Sequence, residues 1–328
     1  MKAKFFKHSL SLGILIVCVA VSGLLVLNRD YVVDQLINWQ YKPSQQVASI
    51  AKQANMSDTG MFYFYVSQPQ VESNQKFNTE CERKEKQSAI LGCYSDRRIY
   101  IFDIQNAQLN GIEEVTAAHE MLHAAWDRMS TDEKVKIEPL LEVAYQKVKT
   151  DELSERMDYY ARAQPGERTN ELHSILGTEF KDLGPELEAH YAKYFINRDG
   201  LVTLHDTYKK IFDGIDQQTA ALTAQLQTLG DSIEGLSATY KNDVGQLNTD
   251  IASFNSRAKS GVFASKDSLN AERSALVART AQLEANRTDI NAKVAIYESL
   301  RTQLEAINAQ STALNRSLDS TLAPAPSV

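Results

Sequence analysis

Apolar residues follow three different patterns along this chain of 328 residues. Residues 10–27 form an uninterrupted apolar run, residues 57–204 combine β-rich segments with helical patterns, and residues 205–318 repeat apolar positions in steps of three and four. These patterns predict a membrane segment, an α+β domain and a coiled coil. The predicted divisions are an N-terminal segment (1–9), a transmembrane signal anchor (10–28), a juxtamembrane lead-in (29–56), the α+β domain (57–204), a coiled-coil helical hairpin (205–318) and a disordered tail (319–328).

The N-terminal apolar run sets the predicted topology. Three lysines precede its 18 residues, which carry no charge. This length is at the short end of what spans a hydrocarbon core of about 30 Å, and the lysines place the N-terminus in the cytoplasm and the rest of the chain outside. A cleaved signal peptide is the alternative, with Ala20 and Ser22 as a weak cleavage site. The run exceeds the usual signal-peptide length of about 7–15 residues, which favours an uncleaved single-pass anchor.

Two segments of the α+β domain predict strands. Residues 61–66 are aromatic and β-rich, and residues 98–104 alternate as in a well-buried strand. Together they predict a small antiparallel sheet. From residue 111 to 128 the period becomes helical, and further helices are predicted over 132–149, 152–163, 169–183 and 185–195.

The last third of the chain carries the coiled-coil pattern. One arm, within 205–257, has a seam with a stutter, and a second arm starting at residue 269 repeats apolar residues every seven positions. A polar loop over 256–268 separates them. The two arms predict an antiparallel hairpin, although helices that pair with another chain would show the same pattern.

Net charge and cysteine content limit the possible partners and the cellular compartment. A net charge of −7 and the lack of a long Lys/Arg block exclude a nucleic-acid partner, which requires a clustered basic face. Cys81 and Cys93 lie twelve positions apart on either side of a charged run. We predict a disulfide between them, as expected outside the cytoplasm, with two free thiols as the alternative.

Residues 119–123 read His-Glu-Met-Leu-His on the helix predicted over 111–128. Two histidines four apart project from one helix face and can share one tetrahedral zinc ion, and Glu120 can then reach a water as general base. The alternative is an ordinary histidine pair without a ligand role.

This motif resembles the active-site helix of the zincin metallopeptidases, over about residues 95–185. The resemblance implies one Zn²⁺ per chain, held by His119 and His123, with Glu120 catalytic. Met129 occupies the position where one zincin group has a third histidine. The chain is therefore more similar to the gluzincins, whose third ligand is a glutamate from a later helix.

Three residues of the helix predicted over 169–183 are candidates for that third ligand. Glu171 is preferred because Asn-Glu at the start of a helix resembles the gluzincin pattern. Glu179 is the second choice, and His173 the last, since it is better explained as a hydrogen-bonded structural histidine. Tyr159 and Tyr160 are candidate hydrogen-bond donors to an oxyanion. The strand over 98–104 could pair with an extended peptide if it lay at a sheet edge.

The expected function is a membrane-anchored zinc-dependent metallopeptidase, a hydrolase that acts on proteins or peptides at the extracytoplasmic face of the cell membrane. The hairpin would serve as a spacer, a docking arm or a device for homo-oligomerisation. The alternative is a non-catalytic surface interaction or scaffold protein that acts through its coiled coil. An intact Glu120 with both histidines favours catalysis.

Overall fold

The computed structural model describes residue 15, residues 18–81 and residues 90–321. The chain is mostly helical, with a small three-stranded sheet and two long C-terminal helices. It divides into two compact units. The first contains the described residues up to Lys210 together with those from Leu314 onward, and the second is Ile211–Ala313.

The elements follow one another in a simple order. From residue 29 onward, the helices of the described chain are α1 (Arg29–Gln40), α2 (Gln45–Gln53), α3 (Asp58–Val66), α4 (Asn74–Glu80), α5 (Ile112–Arg128), α6 (Thr131–Val148), α7 (Asp151–Ala163), α8 (Arg168–Glu179), α9 (Pro185–Tyr191), α10 (Arg198–Lys259) and α11 (Lys266–Leu318). The strands are β1 (Gln70–Glu72), β2 (Gly92–Ser95) and β3 (Arg98–Phe102), and a 3₁₀ turn covers Ala107–Leu109.

The sheet is mixed, in the order β1-β3-β2. β2 and β3 form an antiparallel hairpin whose turn residues Asp96 and Arg97 have φ of 50° and 62°, values that suit a tight two-residue turn. β1 runs parallel to β3, with Val71 opposite Ile101. The prediction of a purely antiparallel sheet was therefore wrong for β1. The strand predicted over 98–104 lies at the centre of the sheet, not at an edge.

Residues 61–66, predicted as a strand, are part of helix α3. The Ser57 hydroxyl caps this helix by accepting from the Gly60 N–H at 3.1 Å. Phe64 is completely buried, and a Cβ on Gly60 would overlap the Tyr194 carbonyl oxygen. An N-cap and close packing of the face that carries Gly60 and Phe64 thus outweigh the β preference of an aromatic run.

For the remaining predicted helices, most of the ends lie within a few residues of those in the structure. Helices α5, α6, α7 and α8 correspond to those predicted from residues 111, 132, 152 and 169. Helix α8 begins at Arg168 and ends at Glu179, before the predicted end at 183, and α9 ends at Tyr191 instead of 195. Asn170 lies inside the first turn of α8.

Helix α5 runs through the centre of the first unit. Its Ala117, Ala118, Met121 and Leu122 are fully buried, as a central helix requires. The segment predicted as a juxtamembrane lead-in contributes helix α2 to the same hydrophobic core. Residues 45–56 are therefore packed into this unit.

Cys81 and Cys93 form the predicted disulfide. It joins the residue after α4 to strand β2, across a Cα–Cα distance of 5.8 Å. Phe77, Tyr100 and Phe102 pack beside it in a small hydrophobic cluster. The bond thereby fastens the edge strand of the sheet to helix α4.

The C-terminal end of α11 belongs to the first unit. Leu314 is 1% exposed, and Asn78 on α4 donates to the Ser320 carbonyl at 2.6 Å while the Ser320 hydroxyl donates to its Oδ1 at 2.8 Å. Residues 319–321, predicted as part of a disordered tail, are thus held against α4. Residues 322–328 lie outside the described part of the chain.

The second unit is a helical hairpin made by the C-terminal part of α10 and the N-terminal part of α11. Asp250 accepts from Arg279 at 2.5 Å, and Glu272 accepts from Arg257 at 2.9 Å. Residue numbers rise along one helix as they fall along the other, so the helices are antiparallel. The connection covers residues 260–265, inside the loop predicted over 256–268.

The predicted membrane anchor is described only in part. Residues 18–27 are helical and expose their apolar side chains, including Leu24, Val26 and Leu27. Residues 1–14, 16 and 17, which include the predicted cytoplasmic segment, lie outside the described residues. Within the described part of the chain, no helix combines the length and apolar character needed to cross a membrane.

Candidate metal centre

His119 and His123 occupy one face of α5, one turn apart, with ring centroids separated by 4.8 Å. The helix starts after Gly111, whose φ of 99° ends the preceding loop. The other faces of α5 are buried in the hydrophobic core, and this burial fixes the direction in which the two histidines point. His123 is buried, and the His119 side chain keeps 17% exposure.

Helix α8 brings Glu171 to both histidines. Its Oε2 lies 3.5 Å from His119 Nε2 and 3.7 Å from His123 Nε2. One ligand atom from each of the three residues lies within 4.8 Å of the others. Ligand atoms at about 2.0–2.1 Å from one tetrahedral zinc ion are about 3.3 Å apart, so the three side chains fit such an ion with small adjustments.

The Glu171 carboxylate has surroundings that suit a metal ligand. Oε2 is buried and has no hydrogen-bond partner among the described residues. Burial acts to raise the pKa of Glu171, but the imidazoles of His123 and His119 outweigh it, so the pKa falls below its usual value. A buried, charged oxygen without a hydrogen bond is costly unless a metal ion binds it.

The Nδ1 edge of the His123 ring contacts polar side chains of α8. Its Nδ1 lies 2.9 Å from Asn170 Oδ1 and 3.3 Å from the Ser174 hydroxyl. The Asn170 amide nitrogen donates to Glu167 at 2.9 Å, which turns the Asn170 oxygen toward the imidazole. His123 Nδ1 is thus placed to donate to Asn170, and Nε2 faces Glu171.

Glu120 lies against strand β2. Burial raises the pKa of Glu120 to about 7, with His123 and the Tyr94 N–H acting to lower it and Glu171 to raise it. A Cβ on Gly92 would lie 2.9 Å from Glu120 Cγ and Oε1 and 2.5 Å from Thr116 Cγ2. Only glycine fits here, because the strand backbone passes directly beside the carboxylate.

The main chain of Gly92 and Tyr94 faces away from β3. The Leu91 carbonyl accepts from Phe102 on β3, and main-chain groups alternate sides along a strand. The Tyr94 N–H therefore faces away from β3, and it acts to lower the pKa of Glu120. In the part of the chain that the structure describes, this side of β2 pairs with no other strand.

Tyr160, one of the two predicted tyrosines, is under the electrostatic influence of the acidic groups. Burial raises its pKa, and the negative charges of Glu171 and Glu120 raise it further. Its phenol therefore stays protonated and able to donate. Tyr159 packs against the Tyr160 ring at 5.3 Å between centroids.

The other two candidates for the third ligand have different partners. Glu179 accepts from both terminal nitrogens of Arg156, at 2.6 and 2.8 Å. Burial acts to raise its pKa, but Arg156 lowers it overall. His173 is fully buried, with Nε2 2.9 Å from His190 Nε2 and its ring against Trp126. Glu171 is the one that the structure brings to the histidine pair.

Sequence reasoning did not identify Asn170, Ser174, Gly92 or Tyr94 as parts of the site. Asn170 had a signal, since it directly precedes Glu171 and a metal-ligating histidine usually donates to an oxygen. A glycine within a strand also suggests a close approach of another group. Ser174 and Tyr94 carry no comparable signal.

No protein-family model matches the chain, and neither a curated protein nor a solved structure is significantly similar to it. The candidate centre is therefore defined by its own residues. It combines two imidazoles and a carboxylate that converge on one point with a second carboxylate, Glu120, beside them.

Proposed function

We propose that this protein is a membrane-anchored zinc metallopeptidase of the gluzincin type, which hydrolyses peptide bonds at the extracytoplasmic face of the membrane. The observation that carries the proposal is the buried Glu171 oxygen, which lacks a hydrogen bond among the described residues and lies within 3.7 Å of two imidazole nitrogens. His119, His123 and Glu171 would hold the ion. Zinc in such a site polarises a carbonyl group and lowers the pKa of water.

Glu120 supplies the proton transfers. Its carboxylate accepts a proton from the attacking water and then gives it to the leaving amine. A group serves both steps best when its pKa lies near the working pH, and burial brings the pKa of Glu120 to about 7. The Tyr160 phenol, protonated beside these acids, donates to the oxyanion that develops on the substrate carbonyl.

The unpaired side of β2 supports a peptide as substrate. An extended peptide can add to a strand edge through main-chain hydrogen bonds, independently of its side chains. The main-chain groups of Gly92 and Tyr94 lie on that side, next to Glu120. A peptide bound there would run directly past the general base.

Two observations support the location. The Cys81–Cys93 disulfide is typical of an oxidising compartment. Residues 18–27 form a helix with exposed apolar side chains at the end of the apolar run over 10–27, which favours a membrane environment for that run.

The test is metal analysis and peptide-library cleavage with the full chain in membranes, comparing wild type with Glu120→Gln. We expect both proteins to bind one zinc ion and only the wild type to cleave. Equal cleavage by both would refute the role of Glu120. The second candidate function, an interaction protein, is favoured by the separate helical unit Ile211–Ala313, and zinc binding without cleavage by either protein would support it.

A further inference from the structure

Asp34 on helix α1 is a buried carboxylate shared by two arginines. It is 4% exposed, and it accepts from Arg128 Nε at 2.8 Å and Nη2 at 3.1 Å. Arg97 Nη2 also donates to it at 3.3 Å. Since a buried charge is tolerated only when it is paired, this carboxylate and the 7%-exposed Arg128 side chain depend on each other.

The two arginines come from the two elements that surround Glu120. Arg128 is the last residue of α5, the helix that carries Glu120, and Arg97 lies in the turn of the hairpin whose strand β2 contacts Glu120. Arg128 Nη1 also donates to the Tyr94 hydroxyl at 3.1 Å. The Tyr94 hydroxyl donates to Asp127 at 3.0 Å.

From these contacts we infer that Asp34 is a positioning residue for Glu120. By binding the end of α5 and the turn after β2 at once, it fixes the distance between the helix and the strand. The main chain of β2 then stays beside the Glu120 carboxylate, where a Cβ on Gly92 would lie 2.9 Å from Glu120 Oε1. The inferred effect on catalysis rests on the proposed peptidase function, whereas the effect on the position of β2 does not.

The test compares Asp34→Asn with Asp30→Asn in the full chain. Asp30 is the matched control because it lies 3.6 Å from the same Arg97 but its side chain is 77% exposed. In Asp34→Asn we expect the hydrogen-exchange rate of the Tyr94 amide to rise about tenfold, because the protection of this amide depends on a local contact. We also expect kcat to fall about tenfold with unchanged zinc content, as for a small misplacement of a catalytic group. Asp30→Asn should change neither.

A second control separates positioning from general loss of stability. Glu188→Gln removes the charged partner of another buried arginine of the first unit, Arg198, which also donates to the Phe180 carbonyl. It should lower the unfolding temperature without faster exchange at Tyr94. If Asp34→Asn does not fold, Tyr94→Phe removes the Arg128 contact while keeping the ring, and its amide should exchange faster.

Unchanged exchange at Tyr94 in Asp34→Asn, or an equal rise in Glu188→Gln, would overturn the inference. If Tyr94→Phe is used in place of Asp34→Asn, an unchanged exchange rate at residue 94 would also overturn the inference. A wild-type protein that binds zinc without cleaving peptides would instead refute the proposed function, and the exchange measurement would still decide the role of Asp34.

Discussion

Asn170 and His123 lie 2.9 Å apart, with the Asn170 side-chain oxygen facing the imidazole Nδ1. Asn170 directly precedes Glu171, so one turn of α8 both approaches the metal position and orients a histidine that also faces it. Helix α8 therefore acts on α5 through two adjacent residues. The centre depends on how these two helices pack.

Asn170→Ala should weaken zinc binding by about 10- to 100-fold, the usual effect of removing the oxygen that orients a ligating histidine. Competition with a chelator of known affinity measures this. Ser174→Ala is the comparison, because its hydroxyl lies 3.3 Å from the same nitrogen and contributes less. Equal affinity of wild type and Asn170→Ala would show that the contact does not orient His123.

The two glutamates of α8 should behave differently when each is changed to glutamine. Glu171→Gln should lose zinc, because it removes the charged ligand. Glu179→Gln should keep zinc but unfold more easily by about 1–3 kcal/mol, since it weakens the paired contact to Arg156. Metal content and thermal unfolding of both variants distinguish the roles. Loss of zinc in Glu179→Gln alone would reverse the assignment.

The histidine pair and its general base could be predicted from the sequence because their geometry is local. Residues four apart on a helix share a face whatever the rest of the chain does. The position of Glu171 is different, since it depends on the packing of α5 against α8. The sequence could limit the third ligand to one helix, and only the structure shows Glu179 turned to Arg156 and His173 turned to His190.

Non-local contacts also explain what sequence reasoning missed. Residues 61–66 have aromatic β preference but are capped and packed as a helix. The three-residue strand β1 is too short to give a pattern and exists through pairing with β3. Asp34 and Arg128 are separated by 94 positions, so neither predicts the other.

Gly92→Ala should impair catalysis while leaving zinc bound. The new methyl group would lie 2.5 Å from Thr116 Cγ2 and 2.9 Å from Glu120, so the strand or the carboxylate must move. We expect kcat to fall by up to about 100-fold, as for a shift of about 1 Å at a reacting group. Gly245→Ala in α10 is the control, since among the described residues no neighbour lies within 4 Å of the place its methyl group would take. Normal kcat in Gly92→Ala would contradict the close approach of β2.

Removal of residues 317–328 should destabilise the first unit. The deletion removes the Ser320 contacts to Asn78 and the 3.0 Å hydrogen bond from Asn106 to Ser317. We expect a loss of about 1–3 kcal/mol in the free energy of unfolding. Denaturant unfolding measures it, and a deletion of residues 322–328 alone should cost less because it keeps the contacts of Ser317 and Ser320. Equal stability of the two deletions would argue against this attachment.

The buried pair of His173 and His190 predicts that stability falls in mild acid. Burial, assisted by the nearby Lys193 and opposed by Glu133, lowers the pKa of His190 from 6.5 to about 4. Burial, with His190 next, also lowers the pKa of His173. Because the unfolded chain binds protons at these histidines first, their contribution is fully present above about pH 6.5 and is lost as the pH falls toward 4.

The loss attributable to His190 should reach about 2–3 kcal/mol. Denaturant unfolding of the zinc-free protein between pH 7 and pH 4 measures it without the pH dependence of metal binding. His190→Gln keeps a polar partner for His173 Nε2 but cannot take up a proton, so its stability should decline less steeply over the same range. Parallel declines in the two proteins would show that His190 titrates alike in the folded and unfolded chain, and that its burial does not resist protonation.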